Sequence, residues 1–329
     1  MPRYNKYLNN VAKRIGYDAS NTIEASVDKI FNRIHLEHLD EDARKGLVLG
    51  HVQSGKTANY VGLASKAIDV GYRVVIILTS NNTALREQTQ RRVNRDLIGS
   101  TSLFPQDTVV NWEESQEELE DYMCPIHRTH PGFAKMLPKS LTSRLDFRPE
   151  DQHDGIITLS KRNNSLFLIV KKHATRQSRY GVMNKLNDWL SQDADESGKV
   201  PLRCLIIDDE CDSSTPNSAR QVANAEDVSS VHREVYRLYS LFKQCSYVGY
   251  TATPFANVFM DRDAPTSLYP SDFIISLPKP KNYMGDEEFF SGRYAKVYQG
   301  VAKSDLDIFC DLGAPLPQSA KTAIKQFVA

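Results

Sequence analysis

Between Gly50 and Thr57 the chain reads Gly50-His51-Val52-Gln53-Ser54-Gly55-Lys56-Thr57, a pair of separated glycines with Lys-Thr directly behind the second. Glycines in these places allow backbone angles and a close approach that a side chain would block. The N–H groups of Gln53, Ser54 and Gly55 can then turn inward on a phosphate chain, and Gly50 lets the loop close over it. A helix beginning near Lys56 would add its positive end. In such a loop Lys56 reaches the β- and γ-phosphates and the Thr57 hydroxyl ligates Mg2+. The ligand these residues call for is ATP with Mg2+.

A second cluster, Leu205-Ile206-Ile207-Asp208-Asp209-Glu210-Cys211-Asp212, puts carboxylates at the end of an apolar run. In a parallel α/β sheet ligands bind at that end of the strands. One carboxylate there can hold Mg2+ and the next can orient or deprotonate a water. The reading is Asp209 for the metal and Glu210 for the water, with Lys56, Asp209 and Glu210 as the catalytic set. Neighbouring strand residues point to opposite faces, so the choice between Asp208 and Asp209 stays open at this point. A third segment, Gly249-Tyr250-Thr251-Ala252-Thr253-Pro254, also closes an apolar run. Thr251 and Thr253 could bond the acidic cluster and couple nucleotide state to the rest of the molecule, though an ordinary strand exit reads the same way.

These groups need a scaffold that brings strand ends together. Gly46–Leu49 reads as a strand into the glycine loop, and 56–70 as the helix after it. Strands are predicted over 73–78, 155–159, 166–170, 202–207 and 247–250, and helices over 82–97, 178–190 and 226–244. This alternation predicts an α/β fold, a mostly parallel sheet with helices on both faces. Residues 1–20 read as an irregular lead-in, followed by an amphipathic helix from Asn21 with Asn21 and Glu24 as a capping box. Residues 99–154 hold five prolines and no clear period, and read as an insertion. The domains expected are an N-terminal helical segment (1–45), an ATPase domain (46–260) and a C-terminal extension (261–329).

Lysines plus arginines equal aspartates plus glutamates, 41 each, so no global basicity points to nucleic acid. The charge is nevertheless segregated, with eight acids and no base from Asp96 to His127, and seven bases and no acid from Lys161 to Asn187. A basic segment of that kind could face a polyanion. No stretch approaches the apolar length of a membrane span, and the N-terminus lacks the apolar core of a signal peptide. Five scattered cysteines suit a reducing compartment, and the chain is expected to be cytoplasmic. Cys124, His127 and His130 have metal-like spacing without a fourth ligand and read as loop residues.

The order glycine loop, Asp209-Glu210-Cys211-Asp212, Thr251-Ala252-Thr253-Pro254 resembles motifs I, II and III of superfamily-two helicases and translocases. Val48 to Tyr60, Leu85-Arg86-Glu87-Gln88-Thr89-Gln90-Arg91-Arg92 and Tyr250 to Asn257 resemble the Z-one domain family more closely. That family comprises bacterial proteins described as endonucleases, often encoded in phage-defence or restriction-like loci beside other ATPases. The resemblance implies a RecA-like P-loop domain that hydrolyses ATP and acts on DNA. It also implies that a second RecA-like domain or partner subunit supplies arginines to the ATP site. The 75 residues after Pro254 (329 − 254) are too few for that domain, so a truncated form or a fragment with slow turnover is expected. In resembling motors the loop and helix after the second strand touch nucleic acid, which here means Ser80, Asn81 and Arg86. Lys171 and Lys172 follow another strand and form a second candidate contact; a solvated surface accounts for either group equally well. The acids and lysines after Pro254 form no strand-anchored Asp…Glu-x-Lys arrangement, so nuclease activity has no visible site there. A competing reading is a nucleotide-gated switch or assembly subunit that binds partner proteins without translocating.

Overall fold

The computed structural model describes residues 3–35, 43–52, 54–98, 139–143, 145–149, 165–175, 181–216, 229–281, 283, 285, 303, 305 and 315–328. The chain divides into two units, Met1–Pro280 and Lys281–Ala329. In the first, seven strands form one sheet: β1 (Ala43–Leu49), β2 (Val74–Thr79), β3 (Lys139–Ser140), β4 (Leu166–Lys171), β5 (Val200–Asp209), β6 (Phe242–Thr251) and β7 (Phe273–Ser276). Their order is β3-β4-β2-β5-β6-β1-β7, and every pairing is parallel. This is an α/β fold with a parallel sheet, as the strand–helix alternation predicted, and it is consistent with a P-loop NTPase-like fold.

A parallel sheet leaves both faces to be covered, and strand periodicity sorts the side chains between them. Val75, Ile77, Leu205 and Ile207 pack with α1 (Arg3–Ile15), α2 (Tyr17–Ile34), α3 (Lys56–Asp69) and α4 (Thr83–Val93). Val74, Ile76, Cys204 and Ile206 pack with α5 (Val182–Leu190) and α6 (Ser230–Leu241). Each such fully buried aliphatic side chain contributes roughly 1.5–3 kcal/mol. A short α7 (Phe255–Val258) follows β6. In the second unit α8 spans Gln318–Val328, and the Ser319 N–H donates to Asp305 Oδ2 at 3.3 Å.

Several boundaries differ from those predicted. The lead-in is α1, because Tyr4, Tyr7, Leu8 and Val11 bury one face and the Tyr7 hydroxyl donates to the Ala58 carbonyl at 2.5 Å. Helix α2 starts at Tyr17 behind Gly16, so Asn21 lies inside it and caps nothing. Helix α6 ends at Leu241, and the next residues join β6, whose pairing with β5 and β1 overrides helical continuation. Strand β7 has four residues, too short to show a period. The 155–159 strand and most of the 99–154 insertion lie outside the described residues, as do Cys124, His127, His130, Arg176 and Arg179.

Candidate active site

The site lies at the C-terminal ends of β1, β5 and β6. The Gly50 N–H donates to the Thr251 carbonyl at 3.0 Å, which ties the start of the glycine loop to the end of β6. A Cβ on Gly50 would sit 2.9 Å from Lys56 Cγ and 3.2 Å from Leu277 Cδ1, so only glycine lets the Lys56 stem fold across the loop. Gly55 takes φ +95, a left-handed turn that launches α3 with no side-chain cap on its first N–H groups. Those N–H groups and the helix dipole favour an anion in front of them. Gln53 lies outside the described residues.

Lys56 is only 7% exposed, with Nζ 3.5 Å from the Gly50 carbonyl and 3.5 Å from Glu210 Oε1. Both contacts are long for an ammonium donor. Glu210 is half-exposed and takes φ 51, so the chain turns sharply as it leaves β5 and its carboxylate faces Lys56. Thr57 Oγ1 accepts from Arg92 Nη1 at 3.0 Å.

Strand alternation puts the two aspartates on opposite faces of β5. Asp208 continues the Cys204–Ile206 face and is fully buried. Its Oδ2 accepts from the Thr215 and Tyr247 hydroxyls, both at 2.7 Å, and its Oδ1 pairs with Lys172 Nζ at 2.8 Å. Asp209 continues the Leu205–Ile207 face, the side on which α3 lies, and its Oδ2 accepts from the Tyr60 hydroxyl at 3.1 Å. Desolvation, and then the Glu210 charge, push the Asp209 carboxyl up to about 6, against the Tyr60 hydrogen bond and the Lys56 and Lys172 charges. A carboxylate held that high is under-compensated, and a divalent cation beside it would favour its ionised form.

The threonines of the third segment meet on Asp212. Thr251 Oγ1 donates to Asp212 Oδ1 at 2.6 Å and Thr253 Oγ1 to Asp212 Oδ2 at 2.5 Å. The end of β6 is thereby clamped to the acidic turn.

Of the nucleic-acid candidates, Ser80, Asn81 and Lys171 come together at the adjacent ends of β2 and β4, where Thr79 pairs with Lys171, whereas the side chains of Arg86 and Lys172 turn inward. Arg86 has no exposed surface and donates to the Ser143 carbonyl at 3.0 Å and the Ile169 carbonyl at 3.4 Å. Lys172 is 2% exposed and committed to the acidic turn. In this structure both cations are buried and bonded to the protein's own carbonyls and carboxylates. Ser80 and Asn81 sit at the end of β2, and Lys171, still partly exposed, donates to Thr83 Oγ1 at 3.2 Å.

Sequence reasoning missed Tyr60 and the site-facing role of Arg92. Tyr60 lies one helical turn beyond Thr57, so the spacing itself placed both on one side of α3. Arg92 carried no such signal, because its reach to Thr57 depends on how α4 packs on α3. Among the described residues no group of three or more His, Cys, Asp or Glu side chains could hold a metal by themselves. A metal at Thr57 and Asp209 would need phosphate or water oxygens as well, which is the usual arrangement for Mg2+. No helix among the described residues is long and apolar enough to cross a membrane.

The parallel α/β sheet with helices on both faces is consistent with a P-loop NTPase-like fold. The chain matches no protein-family model and no curated protein. Among solved structures it is similar to the E. coli MS115-1 HORMA:CdnC:Trip13 complex, at 11% identity and a TM-score of 0.24, over 90% of this chain and 73% of that one.

Proposed function

We propose that this chain binds ATP with Mg2+ at Gly50–Thr57 and hydrolyses it, as the first half of a superfamily-two-like motor acting on DNA in bacterial defence. The carrying observation is Lys56, buried at the mouth of the glycine loop and held, among the described residues, by 3.5 Å contacts to Gly50 and Glu210. A triphosphate oxygen would replace both contacts with shorter ones.

In this reading the N–H groups of Ser54 and Gly55 and the ammonium of Lys56 hold the phosphates. Thr57 and Asp209 would hold Mg2+, which when bound neutralises phosphate charge. Tyr60 orients the Asp209 carboxylate through its 3.1 Å hydrogen bond. Glu210 holds a water in line with the terminal phosphate and accepts its proton as the water attacks. Asp212, gripped by Thr251 and Thr253, carries any movement of the acidic turn to the segment after β6. A second RecA-like domain or a partner subunit supplies arginines to the site, and the cytoplasm is this chain's expected setting.

The burial of Arg86 and Lys172 favours a second reading, a nucleotide-gated switch that binds partner proteins without translocating. ATP turnover with and without DNA separates the two. Stimulation by DNA that Glu210→Gln abolishes supports the motor. Nucleotide binding without turnover and without any DNA effect, also in the presence of the completing domain, rejects the motor and leaves the switch.

A further inference from the structure

Lys172 is the first residue beyond β4, and its N–H donates to the Thr79 carbonyl at 2.9 Å. Its side chain passes the end of β2 and reaches the end of β5, where the ammonium meets three acceptors. These are Asp208 Oδ1 at 2.8 Å, the Asp209 carbonyl at 3.1 Å and the Glu210 carbonyl at 2.7 Å. Two of the ammonium's three N–H donors are hydrogen-bonded to these carbonyls, and Asp208 Oδ1 faces it as an ion pair. The two carbonyls belong to the residues read as metal-binding and water-positioning, and the second belongs to a residue at φ 51. A glutamate rarely adopts that backbone region unless its surroundings impose it. The Cys211 N–H, bonded to the Tyr250 carbonyl at 3.1 Å, fixes the turn from its other side.

We infer that Lys172 is the positioning residue of the acidic turn, holding the Asp209 and Glu210 carbonyls so that the Glu210 carboxylate stands opposite Lys56. The inference rests on the hydrolytic reading of Glu210 for its consequence, though its geometry is independent of that reading. It makes Lys172 a determinant of turnover and not of nucleotide affinity, because its polar contacts among the described residues are to Thr79, Asp208, Asp209 and Glu210. It also accounts for a basic residue at this strand end that does no work at the surface.

Lys172→Met alone strands the buried Asp208 and can unfold the chain, so the test uses Lys172→Met/Asp208→Asn, which removes both charges together. The reference is Asp208→Asn, which keeps the Lys172 bonds to both carbonyls. Should the double variant not fold, Lys172→Gln in the Asp208→Asn background is read against the same thresholds. Two measurements are made on the folded full chain: hydrogen exchange of the Cys211 and Ser213 amides, and steady-state ATP hydrolysis. The expected result is amide exchange at least tenfold faster than in the reference, with kcat at least tenfold lower and KM within threefold. Unchanged exchange, or faster exchange with unchanged kcat, overturns the assignment. A rise in KM at constant kcat overturns it too. If the wild-type chain binds nucleotide without turning it over, the hydrolytic reading fails and the exchange measurement alone decides whether Lys172 orders the turn.

Discussion

Two lysines stand at the same edge of the sheet, both almost fully buried, and they are held in opposite ways. Lys172 has three acceptors within 3.1 Å, one of them a carboxylate with no exposure. Lys56 has two at 3.5 Å, and its carboxylate partner is half-exposed. The same division runs through the neighbouring aspartates, Asp208 sealed on one face of β5 and Asp209 raised in pKa on the other. Burial alone therefore does not mark a working cation or anion. What separates the two sides is how closely the protein's own polar groups hold each charge, 2.7–3.1 Å around Lys172 against 3.5 Å around Lys56.

The sharpest way to break this contrast is to remove each lysine in turn. Lys172→Met should lower folding stability by about 3–5 kcal/mol, since it leaves a buried carboxylate unpaired. Lys56→Met should change stability by less than about 1 kcal/mol, because its contacts are long and one partner is solvated. Chemical denaturation of the two variants measures both effects, and equal losses would erase the distinction.

The next effect is on chemistry. Glu210→Gln keeps the shape of the turn but removes the proton acceptor, and should reduce turnover about 10²-fold or more. Affinity for MgATP should change little, which equilibrium titration would show.

The aspartates respond with opposite signs. Asp208→Asn weakens a buried ion pair and destabilises the fold. Asp209→Asn should stabilise the nucleotide-free chain by about 1–2 kcal/mol at neutral pH, after allowance for its partial exposure. The sign follows from a carboxyl raised from 3.8 to about 6 in the folded chain. Below 3.8 it is protonated both folded and unfolded, and contributes nothing. Between 3.8 and 6 the folded chain binds more protons, so stability falls as pH rises and the deficit is complete above 6. Melting curves of wild type and Asp209→Asn should therefore coincide near pH 3.5 and separate above pH 6, given a pKa of about 6.

The smallest effect belongs to the clamp on Asp212. Thr251→Val removes one of its two hydroxyl donors and should cost about 1 kcal/mol. Loss of DNA stimulation beyond the loss of basal turnover would sharpen the coupling role proposed for Thr251 and Thr253.

Much of this arrangement was legible in the residues. Gly50, Gly55, Lys56 and Thr57 stand out because the tasks proposed for them are ones that few residue types can do. The parallel sheet was legible because its strands are continuous apolar runs, as in Val74–Leu78 and Leu205–Ile207. The roles of Arg86 and Lys172 were not. A basic side chain after a strand looks the same whether it turns outward to a phosphate or inward to a carbonyl, and only the tertiary fold decides. Tyr4 and Tyr7 hid α1 in a similar way, since their rings are buried while their hydroxyls remain polar. The choice between Asp208 and Asp209 needed only the face on which α3 lies, which the alternation of β5 could frame but not supply.

The most direct test of the account is a calorimetric titration of the folded chain with MgATP, repeated on Lys56→Ala and on Lys172→Met/Asp208→Asn. The account predicts saturable binding at one site, weakened at least tenfold by Lys56→Ala and changed by less than threefold in the double variant. A folded wild-type chain that binds no MgATP, or Lys56→Ala binding as tightly as wild type, would contradict it.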